Sequence, residues 1–125
     1  MGEASSMPDS APLKMSRTAY GDVAVLSVDG EIDMATAPAF EAAIDEVLGN
    51  NPPTLIIDLS GVQFLDSAGL TVLMRTQHRR AEAGHFAVVA GRVCRKPIEL
   101  IGLDKLFAVC PTLDEALATV GATAR

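Results

Sequence analysis

A serine hydroxyl beside a carboxylate marks a change of structure in the segment VQFLDSAGLTVLM, residues 62–74. An apolar run stops at Asp66 and Ser67, and after Gly69 the apolar residues resume at helical spacing. Aspartate and serine are both favoured N-cap residues, so simple capping is one explanation for the pair. The other is chemical, because a helix N-terminus favours negative charge and a serine there can carry a phosphate. The junction therefore predicts either a plain cap or a phosphorylation site at Ser67.

Two further features of this helix favour the chemical explanation. Glycine in a first helical turn costs up to about 1 kcal/mol relative to alanine, and we interpret Gly69 as leaving the surface bare beside the Ser67 hydroxyl. The spacing predicts an inward stripe of Leu70, Leu73, Met74 and Ala81. It predicts an opposite, outer face of Ala68, Val72, Arg75 and Arg79. That outer face is typical of a docking surface, although a lone exposed valine with solubilising arginines gives the same pattern.

A phosphate on Ser67 would act on a partner more than on the fold. It would add about −1.5 to −2 charges beside Asp66. Truncating one member of a buried interfacial charge pair costs ~2–5 kcal/mol, and forcing an unpaired dianion into an interface should cost at least as much. Because each ~1.4 kcal/mol is tenfold in affinity, we expect one phosphate to weaken binding by a hundredfold or more.

Other site chemistry is not supported by the motifs. The chain lacks GxxxxGK[ST], GxGxxG and GxSxG motifs and any metal-ligand spacing. His78 and His85 are expected at the surface. A phosphoacceptor receiver domain has a similar length and alternation, but it needs carboxylates at strand ends, whereas Asp58 lies inside a predicted strand. Cys94 and Cys110 are interpreted as two reduced thiols packed as small apolar residues, with a disulfide as the alternative. We therefore expect no metal, no cofactor and no enzymatic activity.

The composition indicates one globular domain with an aliphatic core. Of 125 residues, 49% are hydrophobic and 21% charged, with no Trp, one Tyr and four Phe. The net charge of −6 argues against nucleic-acid binding and against an anionic membrane surface, since both need basic residues. No apolar run reaches the ~18–20 residues that span a bilayer. We predict a flexible N-terminal tail over residues 1–12, a single domain over residues 13–125, a cytoplasmic location and no membrane insertion.

The hydrophobic periodicity predicts the order β-β-α-β-α-β-α-β-α. The first two strands should form an antiparallel hairpin around Gly21 and Asp22. The later strands are TLIIDLSGV, HFAVVAG and LFAVC, the first two buried on both faces as in a parallel sheet. The helices are TAPAFEAAIDEVLG with Thr36 as cap and Gly49 at its end, residues 68–83, PIELIG beginning at Pro97, and TLDEALATV with Thr112 and Glu115 in capping-box spacing. This order predicts an α/β fold with a mixed sheet.

The first predicted helix carries acidic residues outside its apolar stripe. They are Glu41, Asp45 and Glu46. A solvated surface is the simplest explanation of this acidic face, and a surface for a partner protein is the alternative.

Three stretches together resemble one protein family. The segment DGEIDMATAPAF is similar to the G-E-[LI]-D-x-x-T-A segment of STAS domains, the sulfate-transporter and anti-sigma-factor-antagonist family. The segment LIIDLSGVQFLDSAGLTVL resembles that family's central strand and D-S-[SA]-G-L signature, and IELIGLDKLFAV resembles its G-L-x-x-[LIV]-F segment. The resemblance covers residues 13–120 in the right order. It implies a mixed sheet of four to five strands with about four helices, mainly on one side.

The resemblance also implies a function. Free-standing bacterial members bind an anti-sigma factor that is itself a serine kinase with a histidine-kinase-like fold, and so release a sigma factor. The kinase phosphorylates the serine that matches Ser67, and a metal-dependent serine/threonine phosphatase reverses this. By the same match Asp33 contributes to kinase contact, with capping of the first helix as its other role, and Glu31 and Thr36 are its neighbours. Asp66 and Gly69 would shape the turn.

An alternative from another class is an accessory STAS subunit of an ABC-type membrane transport complex, with no phosphorylation cycle. A third possibility is a sensor of a small ligand, which would need a sizeable apolar cavity.

One departure from the family pattern concerns the third helix. Its proline, Pro97, comes late in GRVCRKPIEL, so we expect this helix to begin late.

Overall fold

The computed structural model describes residues 12–81 and 84–120. Of the tail predicted over residues 1–12, all but residue 12 lies outside the described residues, as do the last five residues of the predicted domain. The strands are β1 (Lys14–Tyr20), β2 (Val23–Ile32), β3 (Thr54–Leu65), β4 (His85–Val89) and β5 (Ala108–Cys110). The helices are α1 (Ala37–Leu48), α2 (Ser67–Arg80), α3 (Arg92–Leu100) and α4 (Leu113–Thr119), with a short 3-10 helix at Leu103–Lys105. The predicted order of elements is confirmed.

The five strands form one mixed sheet in the order β1-β2-β3-β4-β5. The β1–β2 pair is antiparallel, and the tight turn between them has Gly21 at φ 61°, a left-handed conformation that glycine adopts without strain. The other three pairings are parallel. In a parallel sheet each strand leaves at the same edge, so the segments that follow β2, β3 and β4 all emerge at the carboxyl edge. The predicted α/β class and hairpin are therefore confirmed.

Two apolar layers lie on the two faces of the sheet. The larger layer joins strand residues such as Leu26 and Ile57 to residues of α1, α2 and α3. The smaller layer contains Val23, Val25, Ile56 and Ala116, so α4 covers the opposite face. The alternation of β2 is as predicted, because Val23 and Val25 belong to one layer and Leu26 and Val28 to the other. Helices therefore lie mainly on one side.

Several helix boundaries differ from the sequence prediction. The sequence predicts that the third helix begins at Pro97, and this is wrong: it begins at Arg92 and contains Pro97 in its interior. Burial of Cys94 and Ile98, four residues apart on the inner face of α3, explains this, because packing of an apolar face outweighs the hydrogen bond that proline cannot donate. The second helix begins at Ser67 and ends at Arg80, earlier than the predicted residue 83.

The end of α2 is held by an arginine that the sequence analysis does not single out. Arg80 is 3% exposed, and its Nη2 donates hydrogen bonds to the carbonyl oxygens of Pro52 at 2.8 Å and Pro53 at 2.9 Å. Burial lowers the pKa of this guanidinium. A Cβ on Gly84 would overlap the same Nη2, so a side chain there would displace it. Arg80 thus ties the end of α2 to the chain entering β3.

Candidate functional site

Two loops that follow neighbouring strands meet at the carboxyl edge of the sheet. In the β2–β3 register Ile32 pairs with Leu65, the last residue of each strand. The backbone N–H of Asp66 also donates a hydrogen bond to the Ile32 carbonyl oxygen at 3.1 Å. Because adjacent strands lie about 4.8 Å apart, the loop that begins at Asp33 and the turn at Ser67 are direct neighbours. The structure therefore brings together the two segments that the sequence analysis selected.

Asp66 caps α2. Its backbone is extended, with φ −102° and ψ −170°, and its Oδ1 accepts hydrogen bonds from the N–H groups of Ala68 at 2.8 Å and Gly69 at 3.4 Å. These are two of the donors that a helix N-terminus leaves without a partner within the helix. The capping role predicted for this junction is confirmed, and Asp66 supplies it. Ser67 is therefore not needed as the cap.

Ser67 is the first residue of α2 and is exposed. Within residues 12–81 and 84–120 its Oγ forms no hydrogen bond, while its carbonyl oxygen accepts one from Thr71 Oγ1 at 2.8 Å. The backbone of this serine is thus fixed and its hydroxyl is open to solvent. A reagent or enzyme that approaches the carboxyl edge can reach the Oγ without opening the fold.

The loop after β2 is closed by its own polar side chains. Asp33 Oδ1 accepts hydrogen bonds from the N–H groups of Ala35 at 2.9 Å and Thr36 at 3.0 Å. Thr36 Oγ1 accepts from the Asp33 N–H at 2.9 Å and donates to the Glu31 carbonyl oxygen at 2.7 Å. Thr36 occupies the N-cap position of α1, as predicted, but its side chain does not cap the helix. The side chain of Asp33 instead orders the turn that leads into α1.

Exposure divides these loop residues into two groups. Glu31 is exposed and Asp33 is partly exposed, whereas Thr36 is 6% exposed and bonded within the loop. Thr36 therefore supports the loop and presents almost no surface. Met34, at the tip of the same loop, is 78% exposed. Met34 is not among the residues predicted from the sequence, although a methionine flanked by loop-forming residues is a signal for an apolar surface residue.

The prediction that Gly69 leaves the surface bare beside the Ser67 hydroxyl is wrong. Gly69 is buried, and a Cβ built on it would overlap Leu65 Cδ1 and lie 2.7 Å from Ile32 Cγ2. The glycine allows the first turn of α2 to approach the ends of β2 and β3 closely. Its absent side chain faces the core rather than the serine hydroxyl. It therefore contributes to the site by fixing the position of Ser67.

The exposure predicted for the faces of α2 is also partly wrong. Val72 is 2% exposed, and Met74, which was expected inside, is 46% exposed. Val72 lies on the same side of the helix as Arg75 and Arg79. This side lies next to α1, where Val72 is buried and the exposed arginines pair with carboxylates. The solvent-facing side instead carries Ser67, Thr71, Met74 and His78, at spacings of four, three and four residues.

The predicted arginines and two residues of the predicted acidic face, Glu41 and Asp45, belong to one interface, whereas the third, Glu46, forms an ion pair with Arg17 of β1 at 2.9 Å. Arg75 donates two hydrogen bonds to the Glu41 carboxylate, from Nε at 3.0 Å and from Nη2 at 2.9 Å. Arg79 forms an ion pair with Asp45, one helical turn farther along. The hydrogen bond from Arg75 lowers the pKa of Glu41. Both arginines are exposed, but each is engaged by a carboxylate of α1.

The remaining candidates for chemistry are separated in space. Cys94 and Cys110 are free, buried thiols in opposite apolar layers, so the reduced-thiol interpretation is confirmed and the disulfide alternative is wrong. Both histidines are exposed. Over the described ranges, no three His, Cys, Asp or Glu side chains are grouped to hold a metal ion. None of the helices in these ranges is long and apolar enough to cross a membrane.

Comparisons with known proteins identify the family to which this fold belongs. The model of the STAS domain family matches residues 14–116. The chain is 48% identical over 116 residues to the anti-sigma-F factor antagonist RsfB of Mycobacterium tuberculosis, covering 92% of this chain and 93% of RsfB. It is 49% identical to an anti-sigma factor antagonist from Mycobacterium paratuberculosis, whose crystal structure superposes with a TM-score of 0.85 and covers 93% of this chain and 98% of that one.

A more distant structure shares the fold. The Bacillus cell fate determinant SpoIIAA in its phosphorylated form is 22% identical, with a TM-score of 0.61 over 86% of this chain and 98% of that chain. At this level of identity the likeness extends to the architecture of the sheet and helices alone. The predicted resemblance in sequence and the predicted fold are confirmed.

Proposed function

Because this chain belongs to the STAS domain family, we propose that it is an anti-sigma-factor antagonist whose switch is Ser67. It binds an anti-sigma factor through the carboxyl edge of the sheet, which frees the sigma factor that the anti-sigma factor holds. Phosphorylation of Ser67 by the same anti-sigma factor ends the complex. The 48% identity to RsfB over 92% of the chain supports the antagonist role. The exposed hydroxyl of Ser67, with no partner among the described residues, supports the switch.

The docking surface that we propose is narrower than the one predicted from the sequence. It combines the loop after β2 with the solvent-facing side of α2. Its centre is Ser67, and Met34 of the loop and Met74 of α2 provide exposed apolar area. Methionine is suited to this use because its flexible thioether adapts to a partner surface. The residues assigned are Glu31, Asp33, Met34, Asp66, Ser67, Ala68, Thr71 and Met74.

Five of the residues predicted to contact a partner have supporting roles in this proposal. Gly69 positions the serine, and Thr36 orders the loop. Val72, Arg75 and Arg79 join α2 to α1 and hold the angle at which the docking surface is presented. The partial exposure of both arginines leaves their outer edges available to a partner.

The charge pattern at Ser67 explains how a phosphate would act. The Asp66 carboxylate already accepts the N–H groups of Ala68 and Gly69, so an added phosphate cannot take these donors without displacing it. The two arginines of α2 are engaged by carboxylates of α1. A phosphate of about −1.5 to −2 charges would therefore stand beside the carboxylates of Asp66 and Asp33 without a matching cation. The fold is retained, and a partner packed over the serine is repelled.

The partners that we propose for this switch are those that the resemblance to the family implies. The anti-sigma factor carries a serine kinase of histidine-kinase-like fold that uses ATP, and the antagonist itself has no catalytic part. A metal-dependent serine/threonine phosphatase returns the protein to the binding form. Such a cycle places all of the partners in the cytoplasm.

The direct test is incubation of the protein with ATP and the cognate anti-sigma factor, followed by mass spectrometry. We expect one phosphate, located on Ser67, and dissociation of the complex as it forms. A complex that forms normally while no phosphate reaches Ser67 would reject the switch and leave the antagonist role standing. Absence of any complex with the anti-sigma factors of the same organism would reject both.

Variants at the acceptor test the electrostatic mechanism. Ser67→Ala should bind the anti-sigma factor about as well as the wild type and resist phosphorylation. Ser67→Asp should bind more weakly, by roughly tenfold or more, because a carboxylate supplies part of the charge of a phosphate. Thr71→Ala, one turn along the same exposed side, is the matched control and should still be phosphorylated at Ser67. Equal affinities of Ser67→Ala and Ser67→Asp would contradict the mechanism.

A further inference from the structure

One aromatic residue at the carboxyl edge is exposed and has no role in the proposed function. Phe64 lies near the end of β3 and is 48% exposed. The chain's other phenylalanines, Phe40, Phe86 and Phe107, are each at most 8% exposed. A half-exposed phenyl ring leaves in water an apolar area that folding would otherwise bury. The cause of this exposure lies in the backbone of β3.

A β-bulge turns the ring of Phe64 outward. Val62 and Leu65 both belong to the larger apolar layer, although residues three apart on a regular strand point to opposite faces. The register against β2 explains this, because one step along β2 to Glu31 matches two steps along β3, from Val62 to Phe64. Gln63 is thus the extra residue of a bulge. If β3 were regular here, Phe64 would share the inward face of Val62 and Leu65 would point outward.

The ring points to a part of the sheet that no helix within residues 12–81 and 84–120 covers. The smaller apolar layer on this face includes no buried residue of β2 after Val25 and none of β3 after Ile56. Closer to the carboxyl edge, β2 instead presents the exposed carboxylates of Asp29 and Glu31. Phe64 is therefore a single apolar group with polar surroundings, the arrangement of a contact patch with a polar rim.

Phe64 is continuous with the docking surface proposed around Ser67. Its cross-strand neighbour, Glu31, belongs to that surface. Ser67 itself follows three residues later, and three residues of chain span at most about 11 Å. A standard interface buries about 800 Å² on each partner, a patch about 30 Å across. A protein seated on Ser67 therefore reaches the ring within one footprint.

Charge argues against a second copy of this chain as the occupant. The charged residues at the carboxyl ends of β2, β3 and β4 and at the adjoining start of β1 are mostly acids: Asp29, Glu31, Asp33, Asp58 and Asp66, against Lys14 and Arg92. Across a two-fold axis this surface would meet its own copy, so acids would face acids. The net charge of −6 adds to the repulsion.

We propose that Phe64 is the main apolar contact to the anti-sigma factor and inserts into an apolar pocket of that partner. This inference rests on the proposed function, because the occupant is the same anti-sigma factor. It adds that recognition extends from the serine turn onto the uncovered face of the sheet. The ring, on the face opposite to α2, supplies affinity, while Ser67 supplies control. Buried aromatic side chains are among the residues that dominate binding energy in protein interfaces.

A binding titration of Phe64 variants with the cognate anti-sigma factor tests this contact. Phe64→Ala should raise the dissociation constant by about 30-fold or more, the loss typical of a dominant aromatic contact. Phe64→Leu keeps much of the apolar volume and should lose less. Tyr20→Ala is the matched control, because Tyr20 is an aromatic residue of similar exposure, 42%. It pairs with Val23 at the amino edge, where the parallel strands begin, and its variant should bind like the wild type.

Phosphorylation kinetics separate a lost contact from a distorted site. Phe64→Ala should raise the KM of the anti-sigma factor for this protein and leave kcat unchanged, because it removes binding that the ground state and the transition state share. A lower kcat with an unchanged KM would mean that the variant distorts the serine turn, and would overturn the proposal.

Two further outcomes would overturn the contact while leaving the proposed function standing. In one, the wild type binds and is phosphorylated on Ser67, and Phe64→Ala binds equally well. In the other, sedimentation shows a wild-type dimer that Phe64→Ala abolishes while its affinity for the anti-sigma factor is unchanged, which assigns the ring to a second copy. Absence of any complex with the wild type would reject both the contact and the proposed function.

Discussion

Gly69 shows how a single residue can position Ser67, the proposed phosphate acceptor, without touching a partner. Alanine is favoured over glycine in a helix by up to about 1 kcal/mol. A Cβ at residue 69 would nevertheless overlap Leu65 Cδ1 and lie 2.7 Å from Ile32 Cγ2, and overpacking of this kind typically costs ~1–3 kcal/mol. We expect Gly69→Ala to lower the free energy of unfolding by about 1–2 kcal/mol, as measured by urea denaturation.

A double-mutant cycle separates packing from helix propensity in this test. In a Leu65→Ala background the nearest clashing atom is gone, so the penalty of Gly69→Ala should fall. If Gly69→Ala stabilised the wild-type protein, the close approach of α2 to the strands would be refuted. That result would instead support the prediction that Gly69 leaves the surface beside the Ser67 hydroxyl bare.

Cys94 is a second residue whose chemistry follows from burial. It is 1% exposed, and burial raises the pKa of its thiol from 9.0 to about 11. At pH 8 the thiolate fraction is then about a hundredfold smaller than for an ordinary cysteine. We expect iodoacetamide to modify Cys94 very slowly in the folded protein and rapidly in urea, as mass spectrometry of timed samples would report.

The raised pKa of Cys94 also fixes the direction of its effect on stability. Because the folded protein holds the thiol proton more tightly than the unfolded chain, this group adds to the free energy of unfolding. The full contribution is present below the pKa of the unfolded thiol. That contribution is lost as the pH rises from about 9 towards the folded pKa of about 11. Equal alkylation rates in folded and unfolded protein would show that the thiol is neither buried nor protonated as described.

At the scale of elements, helices α1 and α2 form one unit through two parallel ion pairs. The forked contact between Arg75 and Glu41 lowers the pKa of Glu41 below its ordinary value of 4.5. A carboxylate whose pKa is depressed by folding contributes stability above its unfolded pKa and loses it as the pH falls through the folded pKa. The contribution of this pair is therefore present at pH 7 and lost below about pH 4.5.

Glu41→Gln should lower the free energy of unfolding at pH 7 by only about 0.2–1 kcal/mol, because both side chains are partly exposed and solvent screens them. The difference from the wild type should shrink as the pH is lowered below about 4.5, and it should shrink in about 1 M salt, where the Debye length is about 3 Å. Urea denaturation at a series of pH values would measure this. The double variant Glu41→Gln/Arg75→Gln completes a double-mutant cycle, and a difference that grows as the pH falls would contradict the assignment.

Local sequence patterns predict the helices and strands well, but they do not show which helices and strands contact one another. The hairpin turn at Gly21 and the cap at Thr112, whose Oγ1 accepts from the Glu115 N–H at 3.1 Å, depend on a few adjacent residues. The start of α3 depends instead on burial of Cys94 and Ile98 against the sheet. No rule based on proline alone could find it.

The error at α2 has the same origin. The spacing correctly groups Val72, Arg75 and Arg79 on one side of the helix, and it identifies the acidic face of α1 separately. It does not reveal that these two sides face each other. Met74 is consequently expected inside, although it lies on the exposed side with Ser67. The serine turn and the loop after β2 are selected from the sequence because local motifs define them, and the structure places the two segments side by side.

At the scale of the whole molecule, the two edges of the parallel sheet carry different surfaces. The carboxyl edge carries Ser67, the proposed acceptor, with its acidic neighbours, and the amino edge carries the exposed side chains of Leu100, Ile101 and Leu106. Because the proposed docking surface lies at the carboxyl edge, Leu100→Glu at the amino edge should leave the affinity for the anti-sigma factor unchanged. A binding titration with both proteins would measure this.

The two faces of the sheet also differ, since three helices cover one and α4 alone covers the other. Ala116 is 0% exposed at the centre of the smaller apolar layer, next to residues such as Val25 and Ile56. A carboxylate there would be buried without a cation, which typically costs ~3–5 kcal/mol. Because α4 is short, moving it off the sheet is easier than burying the charge. Ala116→Asp should therefore detach α4 and leave the sheet and the other helices folded.

Denaturation in urea would measure this detachment. Ala116→Asp should lower the free energy of unfolding by at least about 2 kcal/mol, and it should lower the m-value because the folded state already exposes the smaller layer. Ala118→Asp is the matched control, since residue 118 is exposed on the same helix, and it should change stability by less than about 1 kcal/mol. Equal midpoints for the two variants would mean that α4 is not seated on the sheet. Phosphorylation of Ser67 should proceed normally in Ala116→Asp, because α4 covers the face opposite to α2.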